Sequence, residues 1–334
     1  MQKYTKNSMR KCITLLFSFG FLASIIVFTL PIWSKLDLLL IPEHLVIFAP
    51  RWWLITLILI LSMFWRYLTL YQRYTLPLLF YISLVYLDFQ LPNRADVPAG
   101  KSTIFKVVTV NMGEGSQLAK LKQVIKYYRP DILVLQEIRI KSLKSLNTNY
   151  TYTDCEGSLC LLSKFPFERT VSLNRSILNG LGNFAMSYQI TINGHQINLS
   201  NIHLETPREV LLDVIKSREL SYGAKIKAEN RQLEAAIFGD SIKDKANLVI
   251  AGDFNMPDDD PIYEKNFAWL SNALNESGFG FNNTKYTHWK GIPFFSLRID
   301  HILYSENITA KSVEVLDFLG GDHRPVMATL EVFN

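Results

Sequence analysis

The sequence predicts an α/β protein in which two packed sheets are flanked by helices, preceded by a helical membrane anchor. The last two thirds of the chain alternate short apolar runs of strand length with segments of helical spacing. The dipeptide Asn193-Gly194 separates two alternating segments, which predicts a tight hairpin. With 334 residues, 49% of them hydrophobic, the chain has room for about two domains and is more apolar than most soluble proteins.

Three apolar runs predict that residues 1–91 form the anchor, with about three transmembrane helices. The runs cover residues 12–33, 52–65 and 74–90. The first holds no charge over a length that crosses a hydrocarbon core of about 30 Å. The other two reach the membrane interfaces through flanking aromatic and arginine side chains. Residues 36–50 contain two acidic residues, a histidine and two prolines, which predicts a surface-lying or re-entrant connector.

The distribution of cations predicts the orientation of this anchor. The first apolar run is too long for the core of a signal peptide and further runs follow it, which favours a retained anchor. Six Lys and Arg residues lie on one side of the three predicted spans, against two in the opposite loop. The positive side faces the cytoplasm, so we expect a multi-pass protein of the cell inner (plasma) membrane whose second domain is extracytoplasmic. If residues 36–50 span the membrane, that domain lies in the cytoplasm instead.

Residues 92–102 contain two prolines among small and polar residues, which predicts a linker. The second domain then covers residues 103–334. Its strands are predicted at residues 103–110, 131–135, 182–192, 195–202 and 248–251, and its helices at 117–128 and 209–240.

Charge weakens a nucleic-acid interpretation of this domain. The whole chain has a formal net charge of +5, but residues 1–100 hold nine Lys and Arg and only four Asp and Glu, which leaves 26 of each for the rest. A neutral domain lacks the excess of cations that duplex binding requires. One predicted helix carries a basic group that we interpret as a solvated face: Arg218, Lys225, Lys227 and Arg231.

Two cysteines, Cys155 and Cys160, bracket a Gly-Ser turn between two strand-like segments. Outside the cytoplasm such a pair forms a disulfide that closes a hairpin, and inside it stays reduced. The spacing does not match a zinc site, which needs more ligands.

Polar residues follow or interrupt apolar strands at six places along this domain. They are Asn111; Gln136 and Glu137; His203; Asp253 and Asn255; Asp300; and Asp322 and His323. Carboxylates, amides and imidazoles delivered to strand ends are typical of a metal-assisted hydrolytic site. Glu137 ends an apolar strand, where an unpaired charge is costly, so a cation or a hydrogen-bonded partner is expected beside it. The remaining histidines, His44, His195, His288 and His301, are interpreted as ordinary core or surface residues.

The six motifs, in this order, resemble the endonuclease/exonuclease/phosphatase superfamily over roughly residues 103 to 332. The resemblance implies a catalytic domain with two packed, mostly antiparallel β-sheets in a four-layer sandwich. It also implies a metal-dependent phosphoric ester hydrolase. A residue matched to metal binding is Glu137, with Asn111 and Asp322 close to the ion. The expected ion is Mg²⁺, with Mn²⁺ as an alternative.

The same resemblance implies a role for each catalytic residue. Asp253 orients or deprotonates the attacking water, while Asn255 and His203 support the phosphate in the transition state. His323 stabilises charge on phosphorus or moves a proton, and Asp300 orients that histidine.

A closer likeness is to membrane-anchored bacterial members, among them glycopeptide-resistance phosphatases, which share the pattern His-Leu-x-Thr-Pro-Arg found at residues 203–208. It implies a lipid-linked substrate such as undecaprenyl pyrophosphate. Arg208 then clamps a phosphate, or is simply a solvent-exposed arginine. Two departures weaken a nuclease assignment: glycines precede Asp322 where the superfamily has serine, and no aspartate stands two residues after Asn111.

The sequence thus predicts a membrane-anchored, divalent-metal-dependent phosphoesterase that uses in-line attack of water. The expected partners are the membrane and a phosphorylated, lipid-linked substrate, with nucleic acid disfavoured. The alternatives are a surface-tethered metal-dependent nuclease and an inactive scaffold that binds phospholipid or a partner.

Overall fold

The computed structural model describes residues 2–33, 40–93, 101–113, 115–138, 140–144, 146, 150–216 and 220–333. The chain divides into two compact units, residues 1–89 and 90–334. Residues 94–100 of the predicted linker lie outside the described residues, so the boundaries of the linker stay a prediction.

The first unit is helical. Its helices are α1 (Gln2–Trp33), α2 (Leu40–Phe48), α3 (Trp52–Met63) and α4 (Leu70–Tyr86). By length and composition, one helix in the described part of the chain can cross a membrane, at Asn7–Val27. A second span exists only if α2 and α3, which bend by 71° at their junction, count as one broken or re-entrant segment. Four residues of the predicted connector, 36–39, lie outside the description. The three-span anchor therefore stays a prediction.

The helices of the first unit bury one apolar face and expose another. A cluster of side chains from α1, α3 and α4, including Phe17, Leu54 and Leu79, forms the interior. Large apolar side chains also point outward: Leu15 is 72% exposed and Met63 is 83% exposed. Contact between these apolar side chains and water is unfavourable.

The second unit contains the remaining helices and strands. In chain order they are β1 (Ser102–Asn111), α5 (Leu118–Tyr128), β2 (Ile132–Gln136), α6 (Ile140–Lys144), β3 (Tyr152–Glu156), β4 (Leu159–Ser163), β5 (Phe167–Asn174), β6 (Asn183–Ile192), β7 (His195–His203), α7 (Arg208–Lys216), α8 (Tyr222–Ile242), β8 (Leu248–Asp253), α9 (Pro261–Phe267), β9 (Ser271–Asn272), α10 (Ala273–Ser277), β10 (Lys285–Trp289), β11 (Ile292–Leu297), β12 (Asp300–Tyr304), β13 (Ile308–Val315) and β14 (Val326–Phe333).

These strands form two six-stranded sheets and a separate hairpin. The first sheet has the order β13-β14-β1-β2-β4-β3, the second β5-β6-β7-β8-β12-β9, and β10 pairs with β11. The pairs β1–β2 and β7–β8 are parallel, and the other described pairs are antiparallel. The predicted class of two packed, mostly antiparallel sheets is confirmed.

Apolar side chains from both sheets fill the space between them, among them Val107, Val134, Leu199 and Ala251. The outer face of the first sheet packs with α5 in a second cluster. Rings of α8 and α9 contact each other and the turn after β8. The order is helix, sheet, sheet, helix, which is the expected four-layer sandwich.

A polar ladder crosses between the two sheets inside this apolar layer. The Nε2 of Gln136, at the end of β2, donates to Thr109 at 3.1 Å and to Oδ1 of Asn201 on β7 at 2.8 Å. Asn201 in turn donates to the carbonyls of Leu135 and Cys160. Because every member is buried and bonded, the ladder fixes how the two sheets align.

Most predicted elements are confirmed. One predicted helix and one predicted side-chain environment differ. The hairpin turn is as predicted, since Asn193 and Gly194 both have positive φ. The predicted helix at residues 209–240 is instead two helices, α7 and α8, with residues 217–219 between them outside the description. The solvated-face interpretation is wrong for Arg231, which is buried and donates to Asp260.

Candidate active site

Strand pairing brings the predicted polar residues to one end of the sandwich. In the parallel pair β1–β2, Asn111 lies opposite Gln136, directly before Glu137. In the parallel pair β7–β8, His203 lies opposite Asp253. The antiparallel strand β12 starts at the same level, with Asp300 opposite Asp253. The sequence placed these side chains at strand ends, and strand pairing brings those ends together.

Gly252 allows β7 and β8 to approach each other. A Cβ at this position would lie 2.0 Å from the carbonyl oxygen of Ile202, which is far inside any allowed contact. The next residue on each strand is a site residue, His203 or Asp253. Glycine is therefore required for the strand spacing that brings these two side chains together.

Asp253 is the centre of the site. It is buried, and its Oδ2 accepts a hydrogen bond from Nδ2 of Asn111 at 2.9 Å. The same oxygen lies 3.8 Å from Nε2 of His203 and 3.8 Å from Nε2 of His323. Burial, together with the charge of Asp300, raises the pKa of Asp253. A carboxylate with a raised pKa is a better proton acceptor than an exposed one.

Glu137 lies at the rim of the site in an unusual conformation. Its φ is 53°, a left-handed value that non-glycine residues rarely adopt. Oε1 accepts from Asn111 at 2.9 Å and lies 3.4 Å from Nε2 of His203. Oε2 faces Gly113, where an added Cβ would lie only 2.7 Å away. The side chain is 44% exposed, so one of its oxygens can reach a ligand from solvent.

His323 and Asp300 form a buried pair. Nδ1 of His323 lies 2.9 and 3.1 Å from the two oxygens of Asp300, so Nδ1 donates and Nε2 points toward Asp253. Thr284 supports Asp300, since its Oγ1 accepts from the backbone N–H of both Ile299 and Asp300 at 3.1 Å. The predicted orientation of His323 by Asp300 has the geometry to occur.

The two histidines beside Asp253 have opposite pKa shifts. Burial lowers the pKa of His203, although the carboxylates of Asp253 and Glu137 oppose the change. Burial acts the same way on His323, but the carboxylates of Asp300 and Asp253 outweigh it and raise the pKa of His323 to about 9. At neutral pH the site therefore holds one neutral imidazole and one imidazolium, a division of labour that acid–base catalysis uses.

Asn255 shapes the turn that follows Asp253. Its φ is 52°, its N–H donates to Oδ1 of Asp253 at 2.8 Å, and its Nδ2 donates to the carbonyl of Leu204 at 2.9 Å. The side chain thus ties this turn to the segment after His203. Whether it also contacts substrate stays a prediction.

Two buried groups hold the same turn from behind. His301 was interpreted from sequence as an ordinary core residue. Its ring nitrogens lie 3.0 Å from the carbonyl of Met256 and 3.0 Å from Nδ2 of Asn272. Burial lowers the pKa of His301 to about 4. Nε2 of this neutral ring donates to Met256. Arg298 pairs with Asp258 at 2.7 Å.

Two predicted site residues lie at the periphery. The carboxylate of Asp322 pairs with Lys285, whose backbone bridges to His323. Burial opposes the shift, but Lys285 lowers the pKa of Asp322. Arg208 begins α7 and is exposed. Metal proximity for Asp322 and phosphate binding by Arg208 stay predictions.

The donor set suits a hard divalent cation. Among the described residues, a group close enough to share one ion is Asp253, Asp300 and His323, whose ligand atoms lie within 4.8 Å of one another. This group differs from the predicted set of Glu137, Asn111 and Asp322. Both oxygens of Asp300 already face Nδ1 of His323. Oε2 of Glu137 lies beside Gly113, and the side chain of Glu137 is 44% exposed. An ion that keeps several waters can therefore reach Glu137 more easily than the buried Asp300.

The supporting roles of three residues were not predicted. Arg175 and Glu234 bond to the segment around His203, and Gln136 links the two sheets beneath it. The sequence marks Gln136 only as part of a motif. Glu234 had a detectable signal, because it lies four residues before the buried Phe238 on α8. Arg175 follows an asparagine in a polar loop, and the sequence pattern there carries no signal for its role.

A two-sheet sandwich with carboxylates, amides and paired histidines at one end defines a phosphoesterase or nuclease fold. The chain belongs to the Endonuclease/Exonuclease/phosphatase family, whose sequence profile matches residues 108–323. Members of this family are divalent-metal-dependent phosphoesterases or nucleases. A comparison with curated proteins returned no match.

Solved structures with the same fold are distant in sequence. An endonuclease/exonuclease/phosphatase from Beutenbergia cavernae is 16% identical, with a TM-score of 0.54 over 69% of this chain and 72% of that chain. A mannosyl-6-phosphatase of Bacteroides thetaiotaomicron is 15% identical, with a TM-score of 0.50 over 68% of this chain and 99% of its own. A 3′ phosphatase from Neisseria, solved with a product DNA hairpin, is 18% identical, with a TM-score of 0.50 over 67% and 98%. At these identities the likeness shows the fold alone.

Proposed function

We propose that this protein is a membrane-anchored, divalent-metal-dependent phosphoesterase that hydrolyses a phosphoester by in-line attack of water. One observation carries the proposal: a single buried oxygen, Oδ2 of Asp253, faces Asn111 and the Nε2 atoms of both His203 and His323. A water and a phosphoryl group placed in this cluster would meet a proton acceptor and two imidazoles at once.

Asp253 holds the attacking water and accepts its proton. The raised pKa of this carboxyl group favours the transfer, and the backbone bond from Asn255 keeps Oδ1 fixed. Asn111 bonds Oδ2 and bridges it to Glu137, so the base and the rim carboxylate keep a constant separation.

His323 meets the charge that develops on the phosphoryl group. Asp300 fixes its Nδ1, and the raised pKa keeps the ring protonated at neutral pH, so Nε2–H donates to an anionic oxygen. His203 has a lowered pKa and acts as a neutral hydrogen-bonding group on the other side of Asp253.

Glu137 would hold the metal, with Asn111 beside it and Asp322 as a further contributor. A bound divalent cation, Mg²⁺ or alternatively Mn²⁺, supplies neutralisation of phosphate charge. Oxygen ligands, partial exposure and few protein ligands suit such an ion better than a soft transition metal.

Features of the first unit support anchoring in the plasma membrane. It has a helix long enough to span and large apolar side chains that point outward, which lipid would cover. Cys155 and Cys160 are joined in a disulfide, which supports the extracytoplasmic location of the catalytic domain. The multi-pass topology is part of the proposal.

A lipid-linked phosphate or pyrophosphate is the substrate that fits an anchored phosphoesterase with a formally neutral catalytic domain. Substrate in the bilayer is confined to the surface that the anchor occupies. Arg208, exposed five residues after His203, would contact the phosphate. A tethered nuclease and an inactive scaffold become outcomes of the experiment that follows.

The test is release of phosphate by the full-length protein in detergent with Mg²⁺. Lipid pyrophosphate, phospholipid and DNA are offered in parallel, with Asp253→Ala as the matched control. Release from the lipid pyrophosphate that is lost in the variant and in excess chelator supports the proposal. Cleavage of DNA alone would make the protein a nuclease, and Mg²⁺ binding too weak to measure with no turnover would leave only the scaffold.

A further inference from the structure

Arg175 makes a charged contact with the backbone of the site. It begins a short 3₁₀ turn, Arg175–Leu178, and its side chain is only 14% exposed. One guanidinium nitrogen, Nη2, donates to the carbonyl oxygen of His203 at 2.5 Å. Another, Nη1, donates to the carbonyl of Asn183 at 3.3 Å. A side chain from a surface turn therefore reaches the strand end that carries a site histidine.

Glu234 completes this contact from the opposite side. It is fully buried on α8, and Oε1 accepts from Nε of Arg175 at 2.7 Å. Oε2 accepts from Nη2 of Arg175 at 3.3 Å and from the backbone N–H of Glu205 at 2.7 Å. The pair Arg175–Glu234 thus bonds to the backbone on both sides of Leu204.

The turn that carries Arg175 is itself well fixed. The backbone N–H of Arg175 donates to the carbonyl of Gly182 at 2.7 Å, and the carbonyl of Arg175 accepts from the N–H of Gly180 at 2.8 Å. The side chain of Asn174 caps the turn through the N–H of Ser176. A fixed turn is a reference point against which another backbone segment can be held.

A buried ion pair is not an efficient way to stabilise a fold, because desolvation cancels much of the attraction and an apolar pair of similar volume does as well. Its value lies in geometry. The planar guanidinium bonds His203, Asn183 and Glu234 at defined angles, which a lysine ammonium does not reproduce.

We propose that Arg175 and Glu234 are a positioning pair: they fix the backbone of His203 so that its imidazole stays beside Glu137 and Asp253. The imidazole lies 3.4 Å from Glu137 and 3.8 Å from Asp253, and small rotations of the backbone would change both distances. The inference rests on the proposed function for the participation of His203 in the reaction.

The experiment uses the full-length protein in detergent and the substrate found in the phosphate-release test, with kcat and KM measured separately. In Arg175→Lys we expect kcat to fall about 10- to 100-fold, because misplacement of a reacting group by about 1 Å has effects of this size. KM should change less than about threefold. In Glu234→Gln the remaining side-chain oxygen can still accept from Nη2 of Arg175 and from the N–H of Glu205, so kcat should fall less. The double variant should have the kcat of Arg175→Lys alone, since the effects of residues that act through one contact are not additive.

Two matched controls separate positioning from general damage. Arg169→Lys breaks an arginine–carboxylate contact on the adjacent strand β5 that does not reach residue 203. Glu331→Gln removes a buried carboxylate that pairs with Lys311 in the first sheet. Both controls should keep wild-type kcat. Wild-type kcat in a folded Arg175→Lys protein, or a change in KM alone, would overturn the proposal.

A second readout does not depend on turnover. In protein labelled with ¹³C at histidine, the ring signal of His203 among the six histidines is assigned by its loss in His203→Gln. It should shift or broaden in Arg175→Lys and stay in place in Arg169→Lys. If the wild type hydrolyses no phosphoester, the proposed function fails while this signal still decides the inference: a signal unchanged in Arg175→Lys would refute it.

Discussion

The two histidines on either side of Asp253 are held by opposite means. His323 is fixed through its ring, because Nδ1 donates to the carboxylate of Asp300. His203 is fixed through its backbone, because the carbonyl accepts from Arg175, while its ring lies 3.4 Å from the carboxylate of Glu137 and 3.8 Å from that of Asp253. A carboxylate behind an imidazole also raises its pKa, whereas a guanidinium behind the backbone does not. The comparison teaches that a carboxylate bonded to the ring keeps His323 charged, whereas burial keeps the ring of His203 neutral.

Removal of the group between the two histidines should have the largest effect. In Asp253→Asn the amide cannot accept a proton, and we expect kcat to fall about 10³- to 10⁴-fold, the upper range for loss of a general base. Steady-state phosphate release at saturating Mg²⁺ measures it, with a thermal melt to show that the variant folds. Retention of more than a tenth of wild-type kcat would mean that Asp253 is not the base.

Asp300→Asn tests the ring-supported side. Loss of this carboxylate leaves burial as the main influence, so the pKa of His323 should fall from about 9 to below its ordinary value. If the imidazolium is required, kcat should drop about 10²-fold at neutral pH, as for loss of one charge-stabilising donor, and the alkaline limb of the rate profile should move to lower pH.

The same shift predicts a dependence of stability on pH. Because the folded-state pKa of His323 is raised, its contribution to the free energy of unfolding is fully present below the unfolded-state value and is lost as pH rises through about 9. Melting temperatures of wild type and His323→Gln, measured from pH 6 to 10, should therefore converge at the alkaline end. Parallel curves would contradict the raised pKa.

His203→Gln tests the side supported through the backbone, and a smaller loss is expected. A neutral imidazole gives one hydrogen bond, so kcat should fall about 10- to 100-fold. The alkaline limb of the rate profile should stay where it is in the wild type, because this ring is already neutral. A limb that moves with His203→Gln would reverse the assignment of the two histidines.

Removal of the disulfide between Cys155 and Cys160 should have the smallest effect on the part of the site around His203. Cys160 is one of the two bridged cysteines, and its backbone carbonyl accepts a hydrogen bond from Nδ2 of Asn201, two residues before His203. Replacing both cysteines by serine opens a loop of about six residues and should lower the free energy of unfolding by about 2 kcal/mol. We expect kcat to change only a few-fold. Denaturant unfolding with and without reductant measures the loss, and the serine variant should not respond to reductant.

Much of the fold was accessible from sequence because its signals are local. Alternation over residues 103–110 and the Asn193-Gly194 turn were sufficient to place β1 and the hairpin β6–β7. The positions of Asn111, His203 and Asp253 at strand ends were also accessible from sequence, whereas the edge at which they meet is given by the strand pairing. The interruption between α7 and α8 was not predicted, because both helices keep the apolar spacing of a single one.

The supporting groups were not accessible from sequence because their partners are distant along the chain. Arg175 contacts a carbonyl 28 residues away and a carboxylate 59 residues away. A backbone acceptor leaves no trace in the identity of the residue that provides it. Arg231 was assigned to solvent for the same reason, since its partner Asp260 lies 29 residues further along the chain.

Gly252 lets the pairing of two main chains define the distance between His203 and Asp253. Two paired main chains set the separation there, and a Cβ at residue 252 would force them apart. A catalytic spacing defined by backbone rather than by side chains can persist while the rest of the sequence diverges.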